Sequence, residues 1–175
     1  MFMNAQKNPQ VNGQINPHIN GQINPLINGQ INPQINGQIN PLINGQINPR
    51  INGQINPLIN GQINPRINGQ INPSINGQIN PQINGQINPA INAAFDGPYF
   101  FDRQNQCTGY AVRGNLNTLI IFDLAGMPKR LGVHYPGGFA VFEWKTLNQI
   151  SYLSSDSQAG FNEFALDGTW IGYVK

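Results

Sequence analysis

No acidic side chain occurs before Asp96; all seven lie at or beyond it. Charge of either sign is scarce, at 9% of residues against the usual quarter, and the net charge is only +2. Between Asn8 and Asn92 the sole formal charges are Arg50 and Arg66. Two arginines on a neutral rod are no basic patch, which argues against nucleic acid as a partner. A surface with so little charge does not repel its own copies.

Cysteine is equally scarce. Cys107 stands alone, so no disulfide can form within the chain. Two histidines, His18 and His134, are too few and too far apart to make a zinc site with one cysteine. Apolar runs are short. None reaches the roughly 20 residues of a membrane-spanning helix, and the first residues show no secretory pattern. Nucleophile elbows and phosphate loops are missing. Cys107 and His134, with Asp123 or Glu143 as orienter, have no spacing that supports catalysis. The expectation is a protein that is not an enzyme and takes no cofactor or metal.

What the chain does have is repetition. A unit Ile-Asn-Gly-Gln-Ile-Asn-Pro-x recurs from Asn8 to Asn92, with prolines at 9, 17, 25 and on to 89 and glycines at 13, 21, 29 and on to 85. A fixed period marks a repeat architecture. Proline in every unit excludes a helix. The alternation of Ile, Gly, Ile, Pro with Asn, Gln, Asn, x has the strand period of two. Gly and Pro then read as corners between short extended legs. This predicts a β-solenoid over 8–92, after a lead of residues 1–7. Its coils would stack at roughly 4.8 Å per layer, with amide ladders of Asn and Gln. The expected core is Ile15, Ile19, Ile23, Ile27, Ile31, Ile35, Ile39, Ile43, Ile47, Ile51, Ile55 and Ile59.

The variable position alternates from His18 onward. His18, Gln34, Arg50, Arg66 and Gln82 are polar; Leu26, Leu42, Leu58, Ser74 and Ala90 are apolar or small. The coil is therefore read as a sixteen-residue turn of two units, with Leu26, Leu42 and Leu58 forming a self-association stripe on one face. A relic of gene duplication would leave the same alternation. A disordered tether is a further alternative for a Gly- and Pro-rich stretch, opposed by two isoleucines in every unit.

The repeat decays at Ala93-Ala94. Residues 93–175 read as a small antiparallel β domain, sandwich or barrel. Its strand segments are 109–113, 118–124, 130–134, 139–144, 149–153, 161–166 and 169–174, separated by turns such as Asp167-Gly168. The domain is expected to cap the open end of the solenoid. Most of its aromatics belong in a core; Tyr99, Trp144 and Trp170 are candidates for contacting a ligand such as a glycan.

The Val11-Asn12-Gly13 unit and each Ile-Asn-Gly after it resembles the octapeptide of the triple-stranded β-helices in bacteriophage spikes. That resemblance implies a rigid homotrimeric needle. The sixteen-residue coil is similar in length to that of bacterial ice-nucleation proteins, and the layout is similar to spore-surface proteins with a repetitive stalk and a β tip. The resulting expectation is a structural, self-assembling homo-oligomer: a fibre, stalk or surface layer, capped by the C-terminal domain. The alternative is a trimeric spike presenting a receptor- or glycan-binding tip, and a third reading is an unstructured tether carrying a small enzyme. Expected partners are the chain itself and a cell-surface glycan or receptor, with no nucleic acid and no membrane span. Localisation stays open among cell, spore and virion surfaces.

Overall fold

In a computed structural model, residues 5–92 and 97–175 are described. The expected junction at 93 lies outside them. The second half is a closed antiparallel barrel of eight strands in sequence order: β1 (Tyr99–Asp102), β2 (Cys107–Asn115), β3 (Thr118–Asp123), β4 (Pro128–Tyr135), β5 (Gly138–Glu143), β6 (Gln149–Ser155), β7 (Phe161–Ala165) and β8 (Trp170–Val174). β1 pairs with β8, so no edge strand is left to cap. The seven segments read as strands fall on β2 to β8; the short β1 lies outside all of them.

The barrel has a hidden four-fold repeat. A left-handed residue sits in each hairpin tip at one end: Asn105, Gly126, Leu147 and Gly168, evenly spaced along the chain. A β-bulge follows each of them. The pairing skips Thr108, Lys129, Ile150 and Ile171, which keep the same even spacing. Bulges raise local twist and help a small sheet close.

Both faces of the sheet are buried. The inner face carries Phe100, Ala111, Leu119, Ile121, Phe139, Val141, Leu153 and Val174. Arg130 of β4 crosses to Glu163 of β7 at 2.5 Å, with its guanidinium over the Phe100 ring of β1, which places these groups on the barrel axis. The outer face is the larger and more aromatic. Directly paired rings stack there: Phe101 on Tyr173, Tyr110 on Phe122, and Tyr152 on Phe164. Such a surface would normally face water. Here the repeat covers it.

Each octapeptide makes two tight turns and no strand. Around Asn40, the amides of Ile43 and Asn44 both donate to the Asn40 carbonyl; then Gly45–Ile47 forms one turn of 3-10 helix capped by Asn44. Proline fits at the start of the first turn, where its fixed φ suits the turn and its missing N–H is not needed. The asparagines hold the coil together. Asn44 Oδ1 accepts from the amide of Gln46 at 3.1 Å, while its Nδ2 donates to the Gln38 carbonyl at 2.8 Å. Asn48 Oδ1 accepts from the amide of Arg50 at 2.9 Å, and its Nδ2 donates to the Pro41 carbonyl at 3.0 Å. Asparagines of this kind cap their own turn and fasten it to the preceding one, whereas among the described residues Asn40, Asn56 and Asn72 make the capping bond alone. Asn48→Asp keeps the acceptor and loses the donor. Because Asn48 is buried, we expect a loss of about 1–3 kcal/mol, measured as a lowered midpoint of thermal unfolding; an unchanged midpoint would remove the staple.

This coil wraps once around the barrel, against the strand order. The Lys7 carbonyl accepts from Tyr99 Oη on β1 at 2.6 Å, and His18 meets Gln106 at the first tip. The Ile31 carbonyl accepts from Asn162 Nδ2 of β7 at 3.0 Å. Arg66 reaches the Thr146 carbonyl between β5 and β6 at 2.9 Å. Gly61–Ile63 lies on β4, and Gly77–Ile79 and Gly85–Ile87 lie on β2. The isoleucine that follows Gly-Gln faces the barrel: Ile31, Ile39, Ile55, Ile63, Ile71 and Ile79 are buried, the last four within the outer aromatic cluster. Every repeat proline is buried beside them.

Several expectations are therefore corrected. Among the described residues there is no β-solenoid or β-helix, no sixteen-residue coil and no ladder of stacked amides, because asparagine side chains bind backbone carbonyls of the turn before. The resemblance to spike β-helices and solenoids falls with them. The isoleucines do not share one core: Ile19, Ile27, Ile35, Ile43, Ile51 and Ile59 are 67–72% exposed and rest on the glycine of the previous unit, while Ile15, Ile23, Ile31, Ile39, Ile47 and Ile55 turn inward. The fibre, stalk, surface layer and trimeric spike lose their basis too. The repeat spends its apolar face on its own barrel, and the barrel is a closed body wearing the repeat, not a cap at its end.

Candidate functional site

The aromatics expected to meet a ligand do not form a platform. Tyr99 is buried with its hydroxyl on the Lys7 carbonyl. Trp170 is buried, donates Nε1–H to the Gly172 carbonyl at 2.7 Å, and carries Arg103 over its ring. Trp144 packs half-buried against the outer cluster. Leu26, Leu42 and Leu58 are exposed, Leu58 most at 88%, and Leu42 lies against Gly168.

Cys107 opens β2 beside the first tip, whereas His134 ends β4 next to the Tyr135–Gly138 turn at the other end of the barrel. Burial pushes the Cys107 thiol up to about 11, against a weaker opposing hydrogen bond with the Gly109 carbonyl. A thiol so placed is mostly protonated at neutral pH and a poor nucleophile. Among the described residues no cluster of three or more His, Cys, Asp or Glu is placed to hold a metal. No described helix is long and apolar enough to cross a membrane.

Two cavities stand out. One, of about 310 Å³, is the barrel mouth beside the bulges. Most of its charges are already matched: Arg130 to Glu163, which also accepts from Ser151 Oγ at 2.7 Å, and Lys129 to Asp123 at 3.5 Å, while Asp102 accepts from the backbone amides of Gln104 and Gln106. Such pairs hold the mouth together and leave little for a charged ligand to gain.

The other is a groove of about 480 Å³ between the belt and the opposite end of the barrel. Gln54, Gln62 and Gln70 line it from successive units, and Asn117 and His134 line it from the barrel. Its floor is Ile63, Ile71 and Val133, all buried. The asparagines of the belt wall are consumed as staples: Asn60 and Asn68 bind the Gln54 and Gln62 carbonyls. The side-chain amides of Gln54, Gln62, Gln70 and Asn117 make no hydrogen bond within the described residues. Among the described residues no Asp, Glu, Lys or Arg lines the groove. Sequence reasoning missed this site because one wall comes from each half of the chain. The only available signal was a glutamine in every unit at a position that alternation assigned to a ladder.

These features define a class by architecture: a closed eight-stranded antiparallel barrel girdled by its own N-terminal octapeptide coil. Comparison with family models, with curated proteins and with solved structures finds no match.

Proposed function

We propose that this protein is a non-enzymatic binding module for neutral, hydroxyl-rich ligands, with a saccharide chain held in the amide groove. The observation that carries it is a concave site walled by uncommitted carboxamides over an apolar floor, with no formal charge. A sugar hydroxyl both donates and accepts, and a carboxamide offers both functions in one planar group. The buried isoleucines and Val133 suit the apolar C–H face of a sugar ring. An ionic ligand would lose its hydration here and gain no counter-charge. Few polar groups over an apolar floor is the usual composition of a ligand site.

The test is titration with a panel of neutral oligosaccharides (maltotetraose, cellotetraose, mannotetraose and chitotetraose), followed by nuclear magnetic resonance. Saturable shifts are expected at the Asn117 side-chain amide and the His134 ring. The double substitution Gln62→Ala with Asn117→Ala removes two hydrogen bonds of about 0.5–1.5 kcal/mol each and should weaken binding about ten-fold. No shift with any member of the panel, or unchanged affinity in the double variant, defeats the proposal.

A further inference from the structure

The belt and the barrel keep matched periods. His18, Leu42 and Arg66 occupy the variable position at every third unit. They fall on three consecutive tips of the four-fold barrel. His18 Nε2 lies 3.4 Å from Gln106 Nε2, Leu42 rests on Gly168, and Arg66 Nη2 donates to Asn148 Oδ1 at 2.5 Å and to the Thr146 carbonyl at 2.9 Å.

At the first two tips the junction encloses a cleft, and the two clefts are built from corresponding residues. Pro9, Asn16 and His18 of one become Pro33, Asn40 and Leu42 of the other, three belt units further along. On the barrel side Asn105 and Gln106 become Gly168 and Thr169, three barrel repeats further along. The cavities measure about 240 and 230 Å³, near-identical as the shared construction requires. At the third tip the long Arg66 side chain lies across the corresponding junction and binds both tip acceptors.

We infer that the rim carries repeated saccharide subsites, one per tip, with the residue at the variable position deciding whether each is open. This rests on the saccharide reading of the groove and extends it to a multivalent ligand. Each open cleft offers an amide or hydroxyl from the barrel tip (Gln106 or Thr169) and a free glutamine from the belt (Gln10 or Gln34), over an apolar floor. A cavity of that size takes one ring. Leu42 and His18 are short enough to leave it open, and Arg66 is long enough to fill it. The position that looks like idle variation would then set valence, and a ligand with repeated rings would engage two subsites at once, with the avidity that linkage brings.

The experiment uses the full chain and the same four neutral oligosaccharides. In the unaltered protein, titration should shift both the Trp170 indole N–H and the Gln106 side-chain amide. Leu42→Arg should abolish the Trp170 shift and leave that of Gln106; His18→Arg should do the converse. Arg66→Leu should add a new shift at the Asn148 side-chain amide. All three positions are exposed, so the variants are expected to fold, which the dispersion of their spectra will show. Rim shifts that ignore these substitutions overturn the inference. Shifts at Asn117 and His134 with none at the rim overturn it as well, while the groove stands. Shifts nowhere overturn both.

Discussion

Replacing Ile71 by alanine should destabilise the protein by about 2–5 kcal/mol, whereas replacing Ile75, at the start of the next unit, should cost less than about 1 kcal/mol. The residue type is the same, and each isoleucine is followed by asparagine. The difference is direction. Ile71 is 1% exposed and packs into the aromatic outer face of the barrel; Ile75 is 72% exposed and rests on its own coil, its Cγ2 close to Gly69. Truncating the first leaves a cavity against β-strand side chains that pair with each other and cannot easily move in. Truncating the second opens nothing. Denaturant unfolding of the two variants side by side decides the matter. Equal losses would mean that both isoleucines share one core, and the belt would have to be given up.

A second large effect is expected at high pH. Tyr110, Tyr135, Tyr152 and Tyr173 are all buried. Burial raises each phenol, that of Tyr110 to about 12 and the others further, with smaller upward contributions from Asp123 on Tyr110, Tyr152 on Tyr135, Asp167 on Tyr152 and Asp102 on Tyr173. For Tyr152 the nearby Arg50 partly offsets burial. In the unfolded chain each phenol ionises near its ordinary value of about 10. Below that pH both states keep their protons and these groups contribute no slope. Above it the unfolded state releases protons that the folded state retains, so stability falls as pH rises. Each tyrosine contributes at most about 1.4 kcal/mol per pH unit, and four together up to roughly 5 kcal/mol per unit. The protein should therefore hold its midpoint to about pH 10 and unfold cooperatively before about pH 12, with phenolate absorbance appearing only as the fold is lost. Phenolate that develops gradually in an intact barrel would contradict the buried positions.

Part of this architecture could be read from residue order. The period of eight is visible in the sequence, and so are seven of the eight strands; the exclusion of helix is not upheld, because units from Gly37 onward each form a turn of 3-10 helix that begins at the glycine read as a corner. The conformation of the legs is not visible there. Ile-Asn-Gly-Gln-Ile-Asn-Pro-x alternates on paper as a strand does, but asparagine can cap a turn with its side chain, and here two per unit do so. Local capping outcompetes the ladder that alternation suggests. The inward isoleucine stands between Gly-Gln and Asn-Pro and the outward one between Pro-x and Asn-Gly, and neither setting announces which is buried until a partner surface is present. The four-fold order of the barrel is hidden for a related reason. Asn105, Gly126, Leu147 and Gly168 share a backbone conformation and not a residue type, so the repeat lives in dihedral angles. The groove and the rim clefts are illegible for another cause: both exist only where the two halves touch.

The girdle is also older than its mandrel on the ribosome. Synthesis runs from the amino end, so the octapeptide segment emerges before any strand of the barrel it must encircle. Its inward isoleucines have nothing to grip until Trp170–Val174 closes against Tyr99–Asp102. The nascent segment, with Arg50 and Arg66 its only formal charges, holds within itself the partners of its asparagine caps, but its inward isoleucines reach their final packing only once the barrel strands have followed.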